Sequence, residues 1–143
     1  MTAAYATTAD LAEWLGTDAP AGAERLLRRE SAPAISDLTD VELFSAVSRK
    51  VTGKEITAAD GARVVTTFLS HVSAGLYARI AVEQVHFRLA RDWLAGFTLQ
   101  LRSLDALHLA VASHAGAKLV TADRELAAAA RSLNVATQLL IAA

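Results

Sequence analysis

The chain contains no cysteine, no long apolar run and almost no net charge, and each of these absences narrows what the protein can be. Without cysteine it has neither a disulfide framework nor a thiolate-bound zinc, and it is compatible with a reducing cytosol. No apolar stretch approaches the roughly 18 residues of a membrane span. The start "MTAAYATTADLAEWLG" lacks the basic and apolar regions of a signal peptide. The charge of −1, from 14 Lys+Arg and 15 Asp+Glu, argues against non-specific coating of nucleic acid. These features predict a cytoplasmic protein without a membrane partner.

The composition predicts one folded domain that spans residues 1–143. Hydrophobic residues make up 53% of the 143 positions and charged residues 20%, which is typical of a compact globular chain. The sequence has no internal repeat, no low-complexity tract and no linker rich in Pro, Gly or Ser. A second domain is therefore not expected.

Short apolar segments alternate along the chain with longer segments of helical periodicity. Strands are predicted at 4–7, 34–36, 77–82, 117–122 and 135–141, and helices at 8–16, 21–32, 37–50, 57–72, 83–97, 103–112 and 124–134. Strands separated by helices indicate an α/β fold with a mostly parallel sheet and helices on both faces. In such folds ligands bind beyond the carboxyl ends of the strands.

Three acidic residues fall near helix starts that are predicted to lie at this edge of the sheet. Asp123 directly follows the strand "KLVTA", Glu42 lies early in the helix after "AIS", and Asp105 lies in the first turn of "SLDALHLAVA". The helix of Asp105 is apolar almost all round, which predicts burial, and a buried carboxylate is costly unless it is paired or bound to a cation. The sequence therefore raises the question of what neutralises Asp105.

Carboxylates that are brought together repel one another, and a bound cation relieves the repulsion. A cluster of oxygen ligands without cysteine suits a hard cation such as Mg²⁺ or Mn²⁺. Such a metal supports phosphodiester hydrolysis, because it activates water and stabilises charge on the phosphoryl oxygens. Metal-dependent nuclease chemistry is one prediction for this site.

Each acid also has a purely structural interpretation. Glu42 lies three residues after Thr39 in "TDVE", which fits a capping box. Asp123 has the residue type favoured as a helix N-cap, and Asp105 is favourable near the positive end of a helix dipole. His108, three residues after Asp105, is interpreted as a core histidine that is satisfied by a neighbour.

The three blocks "SDLTDVELFSAVSRK", "LDALHLAVA" and "KLVTADREL" resemble the PIN-domain ribonucleases, and most closely the VapC-like toxins of toxin–antitoxin pairs. The resemblance implies a three-layer α/β/α sandwich, an acidic site for Mg²⁺ or Mn²⁺ and cleavage of structured RNA, either tRNA or rRNA. It also implies a homodimer and a small antitoxin protein whose tail blocks the site. Glu42, Asp105 and Asp123 match the second, third and fourth acids of the family, and Thr121 matches a hydroxyl beside them.

The chain departs from the family pattern at the end of its first strand. Where the family typically reads Tyr-Leu-Asp-Thr-Ser-Ala-Leu, this chain reads "YATTADL", so Thr7 stands in the position of the first acid. Thr7 can offer a neutral hydroxyl, or Asp10, about one helical turn further on, can direct its carboxylate back to the site. Asp10 also fits a solvated acid in a first helical turn.

Two functions remain open at this point. The first is a VapC-like endoribonuclease in which Glu42, Asp105 and Asp123 are catalytic and hold the metal together with Asp10, supported by Thr7 and Thr121. The second is a degenerate PIN fold that binds RNA or an antitoxin-like partner without cleaving. A receiver-like phosphorylation domain is disfavoured, because "LVTADREL" lacks the lysine expected after a late strand.

Overall fold

The structure is a computed structural model, and it describes residues 4–6 and 33–140. Within these residues the strands are β1 (Ala4–Ala6), β2 (Ala34–Ser36), β3 (Ala78–Ile80), β4 (Lys118–Thr121) and β5 (Thr137–Leu139). The helices are α1 (Asp37–Thr52), α2 (Ala58–Ser73), α3 (Gln84–Leu94), α4 (Ser103–His114) and α5 (Arg124–Ser132). The predicted strands and the predicted helices from α1 onward are all present. The helices predicted at 8–16 and 21–32 lie outside the described residues.

The strands form one sheet in the order β3-β2-β1-β4-β5, and every neighbouring pair is parallel. Side chains of a strand alternate between the two faces of a sheet. Ala4 and Ala6 accordingly pack with Leu43 of α1 and Phe68 of α2, whereas Tyr5 packs with Leu109 of α4. Apolar helices cover both faces, which confirms the predicted α/β/α arrangement.

Helices α1 and α2 approach each other closely where α2 carries Gly61. A Cβ atom at Gly61 would lie 2.7 Å from Cγ2 of Val51 and 3.2 Å from Cγ1 of Val47. The order "TAAD" predicts a capping box at the start of α2, and it is present, since Thr57 Oγ1 accepts from the Asp60 N–H at 3.1 Å and Asp60 Oδ2 accepts from the Thr57 N–H at 3.3 Å. A glycine thus sets the separation of the two helices, and the box fixes where α2 begins.

Helix α3 buries most of the face that its apolar spacing predicts. Val85, Leu89 and Trp93 are expected to point inward, and Leu89 and Trp93 pack against the core, but Val85 is 38% exposed. His86, only 2% exposed, is buried as well. Its Nδ1 accepts from the Glu83 N–H at 2.9 Å, at the start of the helix.

Helix α4 is buried almost all round, as its sequence predicts, with residues 106–112 all shielded from solvent. Helix α5 ends before Asn134, whose φ of 59° is the left-handed conformation that commonly terminates helices. Across residues 33–140, none of the helices combines the length and apolar content that crossing a bilayer requires.

Candidate functional site

The sheet order places a topological switch point at β1. From β1 the chain passes to β2 and β3 on one side and then returns to β4 and β5 on the other side. Ligands of open parallel sheets bind at the carboxyl edge where the strand order reverses in this way. The carboxyl ends of β1 and β4 define this edge, and Asp123 follows β4.

Asp123 is the N-cap of α5, as its structural interpretation predicted. Its Oδ1 accepts from the backbone N–H groups of Glu125 at 2.9 Å and Leu126 at 3.1 Å. The hydroxyl of the buried Thr121 accepts from the Asp123 N–H at 3.0 Å, which fixes the turn between β4 and α5. Capping engages Oδ1, and the side chain itself is exposed. Asp123 can therefore serve as a cap and still present Oδ2 to a ligand.

Asp105 is half-buried in the first turn of α4, and its surroundings shift its pKa. Burial raises the pKa of Asp105 above its ordinary value, and the nearby carboxylates of Asp123 and Glu42 raise it further. His108 and Arg102 lower the pKa of Asp105, but the raising effects dominate. Asp123 and Glu42 are thus each close enough to Asp105 to disfavour its ionised form.

Glu42 does not form the capping box that "TDVE" suggested. Helix α1 begins at Asp37 with Ser36 as its N-cap, and Thr39 Oγ1 accepts from the Ser36 N–H at 3.2 Å. The capping residue is thus earlier than expected, and Glu42 instead directs Oε1 to Nε2 of His108. Its carboxylate is free of any capping role and is held by α4.

His108 is a satisfied core histidine, as predicted, since it is 1% exposed and both ring nitrogens have partners. The sequence reasoning did not anticipate that one of these partners is Glu42 and that the other is Tyr5. Burial raises the pKa of Tyr5 to about 12, so its hydroxyl keeps its proton. The available signal was a histidine within the apolar stretch of the helix, one turn after Asp105.

An ion pair at the start of α1 was also missed. Arg79 of β3 donates from Nη1 to Oδ1 of Asp37 at 2.7 Å and from Nη2 to Oδ2 of Asp40 at 3.2 Å. The hydrogen bond to Asp40, first among the causes, raises the pKa of Arg79. Arg79 thereby neutralises two acids in the first turn of α1 that would otherwise add negative charge near Glu42.

The described residues supply the charge that a divalent cation requires but not a complete ligand set. Within residues 4–6 and 33–140, no three His, Asp or Glu side chains form a group that could hold a metal ion. Thr7 and Asp10, the two candidates that follow β1, lie outside the described residues. The carboxylate oxygens of Glu42, Asp105 and Asp123 are of the type that a hard cation prefers.

The described residues thus form a parallel α/β/α fold in which Asp105 has two further acids, Glu42 and Asp123, near it at the switch point of the sheet. The family model of the PIN domain matches residues 9–132, and the chain belongs to the PIN-domain family. Comparison with curated protein sequences gives no significant match.

Solved structures share the fold along nearly the whole chain. FitAcB from Neisseria gonorrhoeae is 16% identical with a TM-score of 0.70, and the match covers 94% of this chain and 95% of that one. VapBC2 from Rickettsia felis, bound to a DNA fragment from its promoter, is 19% identical with a TM-score of 0.70, covering 96% and 98%. VapC20 from Mycobacterium tuberculosis, a toxin that cleaves the sarcin-ricin loop, is 19% identical with a TM-score of 0.69, covering 89% and 95%. At these identities the likeness establishes the fold.

Proposed function

We propose that the protein is a metal-dependent endoribonuclease of the VapC-like type, with structured RNA as its substrate. The observation that carries the proposal is Asp105, a half-buried carboxylate whose pKa is raised by burial and by two further acids at the switch point of a PIN domain. Natural chains rarely bury repelling carboxylates without a compensating partner. A divalent cation is the partner that accounts for all three acids at once.

In this proposal Asp105 and Asp123 hold Mg²⁺ or Mn²⁺, Glu42 completes the acidic side of the site, and Asp10 or Thr7 approaches from β1. When bound, the cation would activate water for attack on a phosphate and stabilise charge on the phosphoryl oxygens. The Asp123 side chain is held in place by two backbone N–H groups of α5, which donate hydrogen bonds to its Oδ1. Asp105 is fixed by a helix that is buried on nearly every side.

A small antitoxin protein and a second copy of the chain are the proposed partners. FitAcB and VapBC2, whose folds this chain shares, provide the precedent for a partnered PIN domain. Co-purification of the chain from its native cells, followed by measurement of the complex mass, tests both partners. A chain that remains a free monomer under these conditions would contradict this part of the proposal.

Cleavage of a structured RNA pool by the purified chain tests the enzymatic part. Reactions contain Mn²⁺, Mg²⁺ or a chelator, and Asp105→Asn is compared with Asp92→Asn, an exposed acid of α3. We expect metal-dependent cleavage by the wild type and by Asp92→Asn, and none by Asp105→Asn. Equal cleavage by both variants would trace the activity to a contaminant and refute the assignment.

The second candidate is a PIN domain that binds RNA or an antitoxin-like partner without cleaving it. Thr7 in the position of the first acid favours this candidate. Thr7→Asp discriminates between the two. Cleavage that appears only in Thr7→Asp supports the binding function, whereas equal cleavage by the wild type and the variant supports the enzyme.

A further inference from the structure

A continuous chain of buried polar groups runs from the end of β2 to the candidate acid of α1. Tyr5 Oη lies 2.9 Å from Oγ of Ser36 and 2.5 Å from Nδ1 of His108, and the opposite ring nitrogen of His108 contacts Oε1 of Glu42. Ser36, Tyr5 and His108 are each at most 1% exposed. Four residues from β1, β2, α1 and α4 therefore form one hydrogen-bonded line that ends at a site acid.

The chemistry of the partners fixes the direction of the last bond. A carboxylate can only accept, so Nε2 of His108 must carry the proton that it donates to Glu42. In the neutral ring Nδ1 then accepts, and its partner is the Tyr5 hydroxyl, whose oxygen accepts in turn from Ser36. Every buried polar group in the line is satisfied, which is the condition for such a network to stabilise a fold.

We infer that His108, oriented by Tyr5, is a positioning residue that holds Oε1 of Glu42 and so leaves Oε2 for the cation; this inference rests on the proposed function. A free glutamate side chain loses rotamer entropy when it is fixed by a ligand. A buried imidazole meets that cost during folding, before any ligand binds. The role is comparable to that of the outer partners that orient metal ligands in known sites.

The location of His108 on α4 strengthens this inference. Asp105 and His108 are three residues apart on one helix, so they share a face. Helix α4 thus carries one candidate ligand, Asp105, and holds a second, Glu42, through His108 one turn later.

Binding of Mn²⁺ to the full chain, measured by electron paramagnetic resonance, tests the role of His108. His108→Leu removes the donor, and we expect a 10–100-fold loss of Mn²⁺ affinity, the range for outer partners of metal ligands. His108→Gln retains an amide donor at a similar reach and should restore most of the affinity. Melting temperatures in chelator separate a loss of affinity from a loss of fold. A folded His108→Leu chain that binds Mn²⁺ as tightly as the wild type would overturn the inference.

Tyr5→Phe is the second variant, and it keeps the test decisive if His108→Leu fails to fold. Tyr77→Phe is its matched control, because Tyr77 Oη also faces a histidine ring nitrogen, Nδ1 of His71, at 3.4 Å and away from the acids. We expect Tyr5→Phe to weaken Mn²⁺ binding several-fold and Tyr77→Phe to leave it unchanged. Equal affinities in the two variants would contradict the orienting role of Tyr5.

A metal-free measurement distinguishes failure of this inference from failure of the proposed function. Long-range ¹H–¹⁵N spectra of the imidazoles should show a proton on Nε2 of His108, and Glu42→Gln should shift that nitrogen. A ring without a proton on Nε2 would overturn the inference even if the wild type cleaves RNA. A wild type that binds no Mn²⁺ would overturn the metal site, and the positioning role with it, while the spectra still decide whether the bond to Glu42 exists.

Discussion

Asp105→Asn should stabilise the metal-free protein, because it removes a carboxylate that the fold holds in an unfavourable place. The pKa of Asp105 is raised by burial and by two neighbouring acids. Because the side chain is only half-buried, solvent screens part of this repulsion, and we expect a gain of about 0.5–1 kcal/mol, the size of an interaction between exposed charges. For a domain of this size the melting temperature should rise by about 2–3 °C.

Mn²⁺ should reverse the order of stability of the two proteins. A ligand at ten times its dissociation constant stabilises the folded state by about 1.4 kcal/mol. This gain applies to the wild type and is lost when Asp105 is replaced, so the wild type should melt higher in Mn²⁺ and lower in chelator. Scanning fluorimetry under both conditions measures the crossover. Asp92→Asn, the exposed control, should melt within about 1 °C of the wild type in both, as surface changes usually do.

The pH dependence of the free energy of unfolding provides an independent check that the charged carboxylate of Asp105 destabilises the metal-free protein. A carboxyl group with a raised folded-state pKa keeps its proton to a higher pH when folded than when unfolded, so the wild type loses stability as the pH rises through the folded value. Below the unfolded value of about 3.9, both states are protonated and the difference from Asp105→Asn disappears. A variant that is less stable than the wild type in chelator at neutral pH, or Mn²⁺ shifts of equal size in both proteins, would refute the reasoning.

Three further predictions concern the fold. Phe68→Ala, at a fully buried position, should cost about 3–5 kcal/mol in urea unfolding, whereas Phe97→Ala, at a side chain 93% exposed, should change stability by less than about 0.5 kcal/mol; similar losses would contradict the packing. Gly61→Ala should destabilise the chain by about 1–3 kcal/mol despite the better helix propensity of alanine, because its methyl group would overlap Val51; a gain in stability would show that α1 and α2 can separate freely. His86→Gln should reduce the loss of stability on acidification below about pH 6.5. Burial, and then the charge of His114, lowers the pKa of His86, so protonation of this residue favours the unfolded chain. A difference in the free energy of unfolding between pH 7.5 and pH 5.5 that is the same in the variant and the wild type would contradict this.

The sequence was sufficient to predict the alternation of strands and helices and the edge at which the acids lie. Strands such as "AIS" and "KLVT" are short and carry apolar residues at consecutive positions, which is the pattern of a central parallel strand, and acids that follow them lie at the carboxyl edge. Helix α4 was equally predictable, because a segment that is apolar on all sides has only the core to occupy. These features depend on local pattern alone.

The partners within the site could not be predicted, because they depend on rotations that local patterns leave undetermined. The spacing of Thr39 and Glu42 fitted a capping box, yet α1 starts earlier and turns Glu42 toward α4. The contact of Glu42 with His108 joins residues 66 positions apart, so no short-range pattern encodes it. On α3 the apolar spacing failed at Val85, which is 38% exposed, and gave no sign that His86 is buried.

The pairing of β1 with β4 has a consequence for the order of folding. Ala4 pairs with Lys118 and Ala6 with Val120, so the partners on these neighbouring strands are 114 positions apart in the chain. Such distant pairings close slowly, whereas the helices form from local contacts. The carboxyl edge beside which the candidate acids lie is therefore expected to be completed late in folding.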